Sequence, residues 1–111
     1  MAGLEFEDVL AGIDYLIAQG IVDGNKVGTG GWSYGGYFSA WAATKHSDRF
    51  KASMVGAGLT NMISFMGTTD IPYEMSNTHW NQWWFDNMEL HWDRSPLAHI
   101  CLLYTSDAAD E

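Results

Sequence analysis

Ser33 lies inside the stretch GGWSYGGY, residues 30 to 37, with Gly31 two places before it and Gly35 two places after. A serine so flanked has the spacing of a nucleophile. In the pattern G-x-S-x-G the serine occupies a sharp turn between a strand and a helix, in an unfavourable backbone conformation. The residues two before and two after must then be small, or their side chains clash across the turn. Such a turn aims the hydroxyl at solvent, and the N-terminus of the next helix faces the negative charge that develops during attack. The backbone N–H of Tyr34 would donate to that oxyanion. The bare pentapeptide also arises by chance in glycine-rich chains. The competing reading is a tight turn in which Ser33 only caps the following helix.

A serine nucleophile needs a base and a group to orient it. His46, His79, His91 and His99 are the available bases, and Asp70 and Asp93 the available acids. The spacing of the histidines does not suit a metal: none stand at i, i+4, and neither H-E-x-x-H nor C-x-x-C occurs. No metal or other cofactor is expected.

The elements around Ser33 follow from periodicity. Val9, Leu10, Ile13, Leu16 and Ile17 recur at helical spacing between Glu5 and Gln19, with acids near the start and Gly20 as a stop. Asp23-Gly24-Asn25 reads as a turn. Lys26 to Gly30 is a short glycine-rich strand, and Gly36 to Lys45, small and apolar on one side, is a buried helix closed by Ser47-Asp48-Arg49. Phe50 to Gly56 fits a second strand, and Thr60 to Met66 a short helix. From Gly67 to Arg94 the period is lost, and this segment reads as an irregular insertion with one or two helical turns. Its Trp80, Trp83, Trp84 and Phe85 suit either a stacking surface or, the preferred reading, packing against a sheet edge or a neighbouring domain. Helix, strand, turn, helix, strand is the order of an α/β sheet with parallel strands. Two or three strands cannot bury both faces of such a sheet. The expectation is the middle of a larger domain.

Composition narrows the class further. The 111 residues fit one small domain, and 47% of them are hydrophobic, enough for a core. A net charge of -9 with only five basic residues argues against nucleic acid as a partner. The single cysteine, Cys101, cannot make an internal disulfide. No signal-like start and no run of about 18 apolar residues is present. A soluble chain is expected, cytoplasmic or exported, with no membrane partner.

The longer text around the serine is more specific than the pentapeptide. GWSYGGY, with Gly36 as a second glycine and with Trp32, Tyr34 and Tyr37, follows EDVLAGIDYLIAQGIVDGNKVGTGG. Together with RFKASMVGAG, TDIPYEM and DRSPLAHI it resembles the catalytic domain of the prolyl oligopeptidase family of serine peptidases, which includes dipeptidyl and acylaminoacyl peptidases. The resemblance covers roughly residues 4 to 100. It implies an α/β-hydrolase fold and a Ser-Asp-His triad that cleaves short peptides through an acyl-enzyme on Ser33. It also implies Tyr34 as one oxyanion donor, Tyr73 as a lining residue of the substrate pocket, and an upstream β-propeller that restricts access.

In this fold the triad runs Ser, Asp, His along the chain, and the family's acid and base follow core strands beyond DRSPLAHI. A triad built from the four histidines present would contradict that order. Residues 1–100 therefore read as a piece of a catalytic domain, inert alone. Residues 101–111, CLLYTSDAADE, break the family pattern and read as a non-native, read-through tail. An esterase on the same fold is the alternative activity.

Overall fold

A computed structural model describes residues 1–102. The expected tail is thus only entered: Cys101 and Leu102 are described, and residues 103–111 lie outside the described residues. The order of elements is α1 (Leu4–Ala18), β1 (Gly28–Trp32), α2 (Tyr34–Lys45), β2 (Ala52–Gly56) and α3 (Met62–Thr68). Then come a single turn α4 (Pro72–Glu74), a π-helical stretch (Met75–Trp80), a 3-10 turn (Trp84–Asp86), α5 (Met88–Asp93) and a kinked 3-10 segment (Pro96–Leu102).

Local chemistry explains the boundaries. Gly20, at φ 72°, follows the last turn of α1, where the N–H of Ile21 bonds the carbonyl of Leu16 and that of Gly20 the carbonyl of Ile17. This is the reversal that a left-handed glycine permits. The Asp23 side chain then accepts the N–H of Asn25, and its carbonyl accepts that of Lys26, closing the expected turn. Asn61 and Asn87 cap α3 and α5 by accepting the N–H groups of Ser64 and Leu90.

β1 and β2 pair in parallel, in register from Gly28 opposite Ala52 to Trp32 opposite Gly56. The first strand starts two residues later than its sequence suggested and runs on to Trp32, because Gly28, Thr29 and Gly30 pair across to β2 while Lys26 is used by the turn. α2 then begins at once at Tyr34, two residues earlier than expected. It packs on the two strands: Ser53 donates to the Ser39 carbonyl at 2.7 Å, and the hydroxyls of Thr29 and Ser39 meet at 3.4 Å. The rest of the sheet is uncovered, with Trp32, Met54 and Val55 exposed.

The core lies on the side of α2 away from the strands, around Phe6, Tyr37, Trp41, Met62, Met66, Met75 and Trp80. Residues 67–94, expected to be mostly irregular, are largely helical. Their helices are short and their periods differ, so no single repeat was visible in the sequence. The DRSPL segment that follows is pinned by hydrogen bonds. Tyr37 Oη donates to the Arg94 carbonyl at 2.9 Å, Ser95 Oγ accepts the Met62 N–H at 2.8 Å, and the Leu97 N–H reaches the Thr60 carbonyl at 3.0 Å.

Candidate active site

Ser33 is the single residue between β1 and α2, at φ 57° and ψ -114°. A non-glycine residue there is strained by roughly 1–3 kcal/mol. Its main chain is held on both sides: the N–H donates to the Gly56 carbonyl at 2.9 Å, and the carbonyl accepts the Tyr37 N–H at 3.0 Å. The side chain is exposed and makes no capping hydrogen bond to the helix it precedes. The reading of Ser33 as a mere helix cap therefore lacks the bond that would define it. Among the described residues the hydroxyl has no hydrogen-bond partner; it stands at the N-terminus of a 12-residue helix, beside the Tyr34 N–H, the first of the helical donors with no partner inside the helix.

The glycines divide the steric work differently from the sequence expectation. A Cβ on Gly31 would lie 2.6 Å from the carbonyl carbon of Gly35 and 2.7 Å from its Cα. A Cβ on Gly36 would lie 2.3 Å from the Gly56 oxygen and 2.8 Å from the Gly58 Cα. A Cβ on Gly35 meets nothing within 4 Å among the described residues. The turn is tight because Gly31 and the backbone of Gly35 touch. Gly36 is required where the helix runs over the end of β2, and Gly35 needs no smallness of its own here.

No histidine hydrogen-bonds Ser33 among the described residues. His46 sits at the far end of α2, about 18 Å along its axis, where its backbone N–H reaches the Ala42 carbonyl and its ring stacks on Phe6 at 4.8 Å. His91 is fully buried, stacked on Trp80 at 4.0 Å, with Nδ1–H donating to the Asn87 carbonyl at 2.9 Å. Burial lowers the pKa of both. His99 lies 2.6 Å from the Asp93 carbonyl oxygen and 3.9 Å from its carboxylate, edge-on to Trp41 two turns down α2. This His–Asp neighbour pair is far from the serine. A cavity of about 410 Å³ lined by Phe6, Trp41, Lys45, His46 and Arg94 also belongs to that distant end.

His79 lies next to the elbow without bonding Ser33. Its ring stacks on Tyr34 at 5.5 Å, so the π-helical stretch reaches the elbow. Tyr34 also donates its hydroxyl to Glu5 at 3.3 Å. Burial and the neighbouring carboxylate push that phenol up to about 12, so it stays a donor. Glu5 is 29 residues upstream of Tyr34, and no local signal in the sequence joins the two. Tyr73, in the one-turn α4, is 70% exposed and meets Trp83 edge-on at 5.4 Å. Trp83 in turn stacks on Phe85, whereas Trp80 is buried in the core. The aromatic segment thus divides between packing and surface.

Comparison of the sequence with known proteins identifies the family. The sequence profile described as "Prolyl oligopeptidase family" matches residues 1–106. An uncharacterized peptidase of Bacillus subtilis, YuxL, is 34% identical over 104 residues, covering 93% of this chain and 16% of its own. Acylamino-acid-releasing enzyme 2 of rice is 30% identical over 105 residues, 86% of this chain and 14% of its own. Mouse dipeptidyl peptidase 8 is 39% identical over 66 residues, 59% of this chain and 7% of its own. The chain therefore spans about a sixth or less of the length of these relatives. With a profile match along almost its whole length, which takes in the strained serine between β1 and α2, this chain belongs to the prolyl oligopeptidase family.

Proposed function

We propose that the protein carrying this stretch is a serine peptidase on an α/β-hydrolase fold, which hydrolyses short peptides through an acyl-enzyme on Ser33. The observation that carries the reading is the backbone of Ser33: a strained, exposed serine at the start of a helix, whose hydroxyl is unspent among the described residues. Strain of this kind persists only where surrounding structure enforces it, and it gathers at functional sites. Ser33 Oγ attacks the peptide carbonyl, and the Tyr34 N–H donates to the oxygen that becomes charged. In mutational series one such donor is worth about 10²–10³ in kcat. A histidine from outside the described residues takes the serine proton and returns it to the leaving amine, and an aspartate holds that histidine in its working tautomer. Tyr73 lines the pocket for the substrate side chain. The relatives named for dipeptidyl and acylamino-acid release support a peptide substrate; an upstream β-propeller that restricts access to short peptides belongs to the same reading.

In the full-length protein, a fluorophosphonate probe is expected to label Ser33, and Ser33→Ala is expected to abolish both labelling and turnover of peptidyl-nitroanilides. Retained labelling in Ser33→Ala would sink the assignment. Turnover of simple esters with none of any peptide would favour the esterase reading. The 111-residue chain alone is expected to give no turnover above background, since no histidine bonds its serine.

A further inference from the structure

The first turn of α2 has a weakness built into it. It reads Tyr34-Gly35-Gly36-Tyr37, and each glycine costs a helix about 1 kcal/mol relative to alanine. It also follows directly on the strained Ser33, and fraying of that turn is the easiest way for the strain to relax. The N–H groups that would be lost in fraying include the proposed oxyanion donor on Tyr34. Contacts from outside the helix hold this turn: the Ser33 N–H on the Gly56 carbonyl, Tyr37 Oη on the Arg94 carbonyl, and, at the donor residue itself, the side chain of Tyr34. Its hydroxyl donates to Glu5 Oε1 at 3.3 Å, while Glu5 Oε2 accepts the N–H of Gly3 at 3.2 Å. Its ring stacks on His79 at 5.5 Å, meets Phe38 at 5.1 Å and lies edge-on to Tyr37 at 5.6 Å. Two of these contacts come from Phe38 and Tyr37 in α2 itself. The other two come from distant parts of the chain, the start of α1 and the end of the π-helical stretch.

We propose that Glu5 and His79 are positioning residues that clamp the Tyr34 side chain and thereby hold its backbone N–H where the oxyanion forms. The proposal rests on the peptidase reading above for its kinetic consequence, but not for its structural one. Neither residue hydrogen-bonds Ser33 among the described residues. Their effect is on the transition state, through the placement of one donor. A misplacement of about 1 Å at a reacting centre can cost on the order of 10²-fold in rate.

The test uses the full-length protein with Glu5→Ala, His79→Ala, Glu5→Gln and Tyr34→Phe. Two quantities are read: peptidyl-nitroanilide kinetics, and hydrogen exchange of the peptide covering residues 30–37. Glu5→Ala and His79→Ala are expected to lower kcat roughly tenfold to a hundredfold, with KM within about twofold, and to speed exchange in that peptide. Glu5→Gln, which keeps an acceptor for the phenol, is expected to hold most of the activity. Tyr34→Phe, which removes only the hydroxyl, should resemble Glu5→Ala and keeps the test open if an alanine variant does not fold. A rise in KM with kcat unchanged would overturn the clamp, because it would make these substrate-binding residues. So would Glu5→Gln behaving like Glu5→Ala, or unchanged exchange in all variants. If the wild-type protein neither turns over peptides nor labels at Ser33, the peptidase reading falls, while the exchange measurement still decides the clamp.

Discussion

At the scale of single residues, the three glycines around Ser33 are unequal. Gly31 and Gly36 face backbone atoms at 2.6 and 2.3 Å from a would-be Cβ, and backbone cannot step aside as a flexible side chain can. Forcing a methyl into such a contact costs roughly 1–3 kcal/mol, and at Gly36 it would lever α2 away from the Gly56 carbonyl. Gly35 faces open space and sits in a helix, where alanine is the better residue by up to about 1 kcal/mol. Gly31→Ala and Gly36→Ala are therefore expected to lower the melting temperature of the full-length protein, while Gly35→Ala leaves it unchanged or raises it. Equal losses at all three positions in thermal unfolding would contradict this division. The pattern G-x-S-x-G lists spacing, whereas the geometry says which glycine is pressed and by what.

At the scale of elements, the packing of α5 on the π-helical stretch puts a titratable ring in the interior. His91 is fully buried against Trp80, and its Nε2 has no partner among the described residues. Burial lowers its pKa, as it lowers that of His46. The unfolded chain takes up a proton near the ordinary imidazole value of about 6.5, whereas the folded chain resists it. Between those two values the unfolded state binds more protons, so stability rises with pH and is lost as pH falls below about 6.5. The melting temperature should drop between about pH 7.5 and about pH 5.5, and His91→Phe, which keeps a ring against Trp80, should flatten the slope. A slope unaltered by that change would remove His91 as its source.

What the sequence made legible follows the range of each interaction. The Asp23-Gly24-Asn25 turn, the Gly20 stop and the order helix, strand, helix, strand depend on neighbours a few residues apart, and all were readable. The helices between residues 67 and 94 were not, because each is too short to establish a period and is fixed by capping at Asn87 and by contact with the core. At the candidate site the spacing of Gly31, Ser33 and Gly35 was visible. Glu5 and His79 were not, since only folding brings them to Tyr34.

At the scale of the whole molecule, the sheet is the unfinished part. Two parallel strands present two unpaired edges and one bare face among the described residues. That face and its surroundings are apolar: Trp32 is 75% and Met54 66% exposed. An apolar groove of about 340 Å³ runs between α2, β2 and the final 3-10 segment, lined by Ala43, Val55, Pro96, Leu97 and Ile100. Parallel sheets are stable when both faces are covered, and open strand edges recruit other strands. The chain spans 16% or less of the length of the relatives compared, so more chain is at hand in such proteins to complete the sheet. Expressed alone, the 111-residue chain is accordingly expected to bind an apolar dye strongly and to self-associate in light scattering at micromolar concentration, where the full-length protein does neither. A monodisperse monomer without dye binding would mean that the two strands and their helices are stable with that face open to solvent. The uncovered face would then belong to the native surface, because nothing further would be needed to bury it.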